Sequence, residues 1–115
     1  MTTPSATYQL FEAAMRERRP VVCVYHGHRR AVCPAVLGHS DGVETALVFQ
    51  YAGGSSGGVV TGDWKCLKLA GVDAAELIDG IWQAGGGDHT SAQTCVKDVD
   101  LDVNPASPFG PRRRL

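Results

Sequence analysis

Long apolar runs are missing from this chain. No stretch of its 115 residues approaches the roughly 18 apolar residues that a membrane-spanning helix needs, so no such span is expected. The start also lacks the apolar core of a secretory leader, since Glu12, Arg16, Glu17, Arg18 and Arg19 interrupt it early. Together these absences predict a cytoplasmic domain, in which thiols stay reduced. An excess of charge of one sign is missing too. Eleven basic residues against twelve acidic ones give a net charge of −1, which provides no global field toward nucleic acid or a membrane. Any such binding has to come from a local patch.

Close cysteine pairs are likewise absent. Cys23, Cys33, Cys66 and Cys95 are widely spaced, with no C-x-x-C, which argues against structural zinc. Each sits in an apolar run, and the expectation is four buried, reduced thiols. A phosphate loop of the G-x-x-x-x-G-K-[ST] type, a nucleophile elbow and a paired-carboxylate pattern are not found either. The chain is therefore expected to be neither an enzyme nor a holder of a cofactor.

What is present fits one globular domain. The apolar fraction of 43% and charged fraction of 20% are ordinary, and the length supports a single core. Tyr8, Phe11, Ala14 and Met15 recur at helical spacing, with Thr3 and Pro4 placed as a cap and first residue, and Pro20 ends the helix. Beyond Pro20 the hydrophobic period falls to two. Val21 to Tyr25 reads as a strand, His26 to Arg29 as a turn and Arg30 to Leu37 as a second strand. Asp41-Gly42 is a hairpin signal, leading into Val43 to Tyr51, with Thr45, Leu47, Phe49 and Tyr51 on one face and Glu44 and Gln50 on the other. With Gly27-His28-Arg29 as a three-residue loop, Cys23 falls opposite Cys33.

Gly53 to Gly58 reads as a flexible loop, Trp64 to Leu69 as a fourth strand, and Val72 to Ile78 as a further strand or a short helix. The predicted fold is mainly β with one helix: an N-terminal helix and a small Sm- or SH3-like antiparallel barrel or strongly bent sheet over residues 1–84. Residues 85–115 form a tail, with an edge strand at 95–103 whose Asp98, Asp100 and Asp102 face outward. Its end, with Arg112-Arg113-Arg114, is loose.

Taken in order, Leu10-Phe11-Glu12-Ala13-Ala14, the strand to Tyr25, Arg30-x-Val32-x-Pro34, the hairpin at Asp41-Gly42, the Leu47 strand and Lys65-x-Leu67-x-Leu69-x-x-Val72 resemble the WYL domain of bacterial transcription regulators. The resemblance covers about residues 8–79. It implies a ligand-sensing or nucleic-acid-responsive module on a small barrel. The three letters that name the family fall on Thr45-Ala46-Leu47, so only Leu47 matches, and Lys65 stands where the family has Arg. Only seven residues precede Tyr8, so the expectation is a stand-alone sensor without the family's helix-turn-helix.

Tyr25, Arg30, His39, Gln50 and Lys65 are the candidate ligand-binding residues. A curled sheet would gather Arg30 and Lys65 from different strands around an anionic ligand, such as a nucleotide or a short single-stranded nucleic acid. The alternative is an assembly module with no small ligand, whose partner is a second copy or a regulator protein. His26 and His28 alternate but have no third metal ligand, and His89 has no evident partner.

Overall fold

The computed structural model describes residues 4–85, 95–103 and 113–114. Helix α1 (Ala6–Glu17) buries Tyr8, Phe11, Ala14 and Met15, as its spacing predicts. Its cap is Ser5, whose hydroxyl accepts the Tyr8 N–H at 3.1 Å. Ser5 also donates to the Glu44 carboxylate, through its hydroxyl at 2.5 Å and its N–H at 3.0 Å. The cap therefore fixes the helix to the sheet, and it lies two residues beyond Thr3, which is outside the described residues. Arg18 turns left-handed at φ 53°, and the Arg19 N–H returns to the Ala14 carbonyl, so the helix closes before Pro20 acts.

The strands are β1 (Val21–Tyr25), β2 (His28–Ser40), β3 (Val43–Ser55), β4 (Gly58–Val59), β5 (Asp63–Lys68), β6 (Val72–Leu77), β7 (Asp98–Asp102) and β8 (Arg113–Arg114). A 3-10 turn, Leu69–Gly71, joins β5 to β6, which settles the last core element as a strand. The sheet is a strongly curled, mainly antiparallel half-barrel in which β5 and β4 pair with β3, β3 with β2, β2 with β1, and β1 with β6. Among the described residues, only β8 runs parallel to its neighbour, β7. Among the described residues, no helix is long and apolar enough to cross a membrane.

Strand β2 has two partners in succession on one side. Its first residues pair with β1, and Val36 to His39 pair with β7. Between them the register slips at Ala35, next to Pro34, which has no N–H for a ladder. That bulge lets Val32 and Leu37, five residues apart, both enter the main core with Phe11, Met15, Val48 and Leu67. Ala35 and Val36 join a second apolar cluster with Leu47, Val96 and Val99. Both faces of β3 are covered in this way: Ala46 and Val48 face the main core and Leu47 the second cluster.

Several expectations need correction. The β1–β2 turn has two residues, His26 and Gly27, both at positive φ (50° and 76°). Cys23 consequently pairs with Arg30 and lies in the main core. Cys33 takes the opposite face, where it accepts the Gln83 N–H at 3.4 Å. Gly53 to Gly58 is the tip of the β3–β4 hairpin rather than a free loop. Asp100 and Asp102 are buried, not an outer acidic face, because β7 lies against β2 and a register shift turns Asp100 inward. Gly38 permits that contact, since a Cβ there would fall 2.0 Å from the Asp98 carbonyl oxygen. Arg113 and Arg114 are paired as β8 instead of loose. His89 lies outside the described residues.

The thiols also depart from expectation. Cys23 and Cys33 are buried and free, whereas Cys66 and Cys95 form a disulfide. Sequence spacing could not show this, because β5 and the approach to β7 meet only through their shared neighbours β3 and β2. Thiol titration of the denatured, unreduced chain should find two reactive thiols, rising to four after reduction. Four without reduction would contradict the pairing.

Candidate functional site

The two-residue turn decides where the arginines go. With His28 opposite Tyr25, Arg29 and Arg30 project to opposite faces of β2. Arg29 is exposed, while Arg30 turns inward and is only 5% exposed. Its Nε donates to the Tyr25 carbonyl at 3.3 Å and its Nη1 to Gln50 Oε1 at 3.2 Å. The guanidinium carbon lies 5.2 Å from the centroid of the Tyr25 ring. Tyr25 is held in turn by the Lys68 N–H, which donates to its hydroxyl at 3.1 Å.

Gln50 sets this arrangement. It is fully buried, and its Nε2 donates to the carbonyls of Ala52 (3.1 Å) and Gly54 (3.0 Å). Those bonds span the bulge at Tyr51, where the β2–β3 register slips. With both protons of the amide committed, Oε1 is aimed at Arg30. Gly53 completes the close approach of the strands: its φ is 96°, and a Cβ there would stand 2.2 Å from the Arg29 carbonyl oxygen.

What the cluster lacks is a counter-charge. Among the described residues, no carboxylate lies within 4.0 Å of Arg29 or Arg30. The partners of Arg30 are neutral oxygens and a ring. A buried charge so compensated still costs several kcal/mol of lost hydration. Beside it is a cavity of about 170 Å³ lined by Val22, Arg29, Arg30, Ala31, Ala52 and Gly53. A second, of about 120 Å³, shares Val22 and Arg29 and is bounded by Glu76. Val22, Arg29 and Ala31 share one face of the sheet and the Arg30 side chain takes the other, so the larger cavity has one cation and small apolar walls, which suits an anionic group on a compact body.

Of the residues expected to bind ligand, Tyr25, Arg30 and Gln50 come together. His39 and Lys65 do not join them. His39 lies near the far end of β2, with its ring 5.9 Å from that of Tyr8 and its Nδ1 3.3 Å from Asp100 Oδ2. The Tyr8 hydroxyl donates to the same Asp100 oxygen at 2.5 Å. Lys65, opposite Val48, pairs with Asp63 at 3.3 Å. His26 stacks on Tyr25 with ring centroids 4.1 Å apart, and His28 lies beside Gly54. Sequence reading missed Arg29, which it placed in the turn. The signal was the His26-Gly27 pair, since a glycine at the second position marks the two-residue turn that puts Arg29 in the strand.

Cys23, opposite Arg30, provides a solution signature. Burial pushes its thiol from the ordinary value of 9.0 up to about 11, and the Arg30 charge pulls it back only in part. Because the folded state holds this proton more tightly, the stabilisation is complete below about pH 9 and is lost as pH rises toward 11. Two pH units correspond to on the order of 2 kcal/mol. Urea unfolding without reductant should show that loss between pH 9 and 11 in the wild type and a clearly shallower slope in Cys23→Ala. Equal slopes would remove Cys23 from this account.

Comparison with protein-family models, with curated proteins and with solved structures finds no match to this chain, so the site is read from its own geometry.

Proposed function

We propose that this chain is a regulatory binding module of the cytoplasm, without enzymatic activity, that takes the anionic group of a small ligand in the cavity bordered by Arg29 and Arg30, against the Arg29 side chain. One observation carries the reading: a cavity with Arg29 on its wall and Arg30 at its border, with no carboxylate among the described residues within 4.0 Å of either cation. An arriving anion would add the missing charge without having to displace a resident acid.

Volume narrows the ligand. Sites that enclose a whole drug-sized molecule measure roughly 300–1,000 Å³. A cavity of about 170 Å³ suits a phosphate or carboxylate group, so a nucleotide would enter phosphate first and leave its base outside. A short single-stranded nucleic acid could present only one phosphate there. The WYL-like string supports the same reading, since it implies a ligand sensor on a small barrel. Such a sensor acts through a partner regulator.

Inorganic phosphate, sulfate, acetate and nucleoside monophosphates are the probes for a thermal-shift titration. At a hundred times its dissociation constant, a ligand confined to the folded state adds about 2.7 kcal/mol, a rise of several degrees. The rise should vanish in Arg29→Met, shrink in Arg30→Met, weaken with added chloride, and persist in Lys65→Met. An unchanged rise in Arg29→Met would overturn the assignment.

A further inference from the structure

The row of side chains that crosses the sheet under the larger cavity ends on a carboxylate. Val22 pairs with Ala31 and Ala31 with Ala52, and on its other side Val22 pairs with Glu76. Glu76, Val22, Ala31 and Ala52 thus form one line across β6, β1, β2 and β3, on the face turned away from the main core. The next row holds Asp73, Val24 and Arg29. Arg29 and Glu76 therefore stand diagonally across β1, over a valine floor, and both border the smaller cavity of about 120 Å³. The larger cavity shares Val22 and Arg29 with it, so the two are neighbours along one trough.

A bulge brings Glu76 to this trough. Continued regularly from the Asp73–Val24 pair, β6 would set Ala75 against Val22 and turn Glu76 to the core face. Instead the register slips between Val22 and Val24, and the extra residue puts Glu76 opposite Val22. Ala74 carries the distortion at φ 51°, a left-handed conformation that strains a residue with a Cβ, and it lines the same cavity. Ala75 packs against the main core. The slip thus exchanges a methyl group for a carboxylate on the trough wall. The two charges nevertheless do not use one another. Among the described residues, neither Arg29 nor Glu76 has an ion-pair partner within 4.0 Å, and both are exposed. Opposite charges held apart across a hollow are complementary to a molecule that bears both.

We infer that the ligand of this trough is a small zwitterion, with its anionic group in the larger cavity against Arg29, its ammonium in the smaller one against Glu76, and its carbon chain over Val22. The inference rests on the anion reading above and adds the second charge to it. The larger cavity lies over β1 to β3 and the smaller over β1 and β6, about one strand spacing (~5 Å) apart, which a chain of about four bonds spans. The floor of Val22, Val24 and Ala31 suits methylene groups and offers no polar side chain to a third substituent. Asp73, beyond Val24, lies outside the lining of both cavities.

Chemical-shift titration of the nitrogen-labelled full chain at neutral pH compares 4-aminobutyrate with butyrate, which has the same carboxylate and chain but no ammonium. In the wild type 4-aminobutyrate should bind about five-fold more tightly, the upper range for one exposed ion pair, with shifts at the amides of Val22, Val24 and Glu76. Glu76→Gln should erase that preference, Asp73→Asn should keep it, and Arg29→Met should abolish binding of both compounds. Equal affinities in the wild type, a preference that survives Glu76→Gln, or one that Asp73→Asn removes equally would overturn the inference and leave the anion site standing. Binding of neither compound would overturn it too, and inorganic phosphate, titrated alongside, then shows whether the anion reading falls with it.

Discussion

Pro34 brings no N–H to the sheet, and the extra residue that follows it turns β2 over, so that one strand serves two apolar clusters and two successive neighbours. Without the slip at Ala35, either Val32 or Leu37 would point away from the main core, and a one-residue error inverts every later side chain. The β1–β6 side of the half-barrel is built on the first part of β2, and β7 with its disulfide on the last part. Helix α1 spans the two, capped against Glu44 and joined through Tyr8 to Asp100. The geometry of the arginine pair and the covering of the second cluster therefore descend from the same strand.

Electrostatics distinguishes the two ends. At the far end Asp100 is buried, with the Tyr8 hydroxyl donating to it and the His39 ring beside it, so the acid is accommodated within the fold. At the near end Arg30 is buried with neutral acceptors among the described residues. A fold selected for stability alone would fill that position and its polar partner with apolar residues of similar volume, since replacing buried charged groups together by packed apolar ones is commonly neutral or stabilising. Gln50 spends its whole amide on holding the cation in place. Such an arrangement makes physical sense when the missing charge comes from outside.

Much of this was legible in the residues themselves. The helix followed from Tyr8, Phe11, Ala14 and Met15, and the β2–β3 hairpin from Asp41-Gly42, because local periodicity and turn chemistry do not depend on the rest of the chain. Tyr25, Arg30 and Gln50 were legible as a group for a similar reason, since adjacent antiparallel strands bring them together. His39 was not: nine residues of extended chain put it roughly 30 Å from Arg30 along β2, a length a barrel of unknown strand limits conceals. The cysteine pairing failed because the turn is one residue shorter and begins one residue earlier, at His26, which moves the partner of Cys23 from Cys33 to Arg30. The buried aspartates of β7 and the Cys66–Cys95 bond depend on a register shift and on a strand that returns from far along the chain, neither of which leaves a local trace.

The central claim is that the cavity bordered by Arg29 and Arg30 receives an anion against Arg29, and nitrogen NMR of the guanidinium groups reads it directly. In the free protein the Arg30 Nε–H should already be resolved, held by the Tyr25 carbonyl and shielded from exchange. Phosphate should shift the Arg29 resonance in a saturable way and slow rotation of its Nη protons, with a smaller effect at Arg30. A guanidinium resonance that stays fixed while phosphate saturates the protein would contradict the account and place the anion elsewhere.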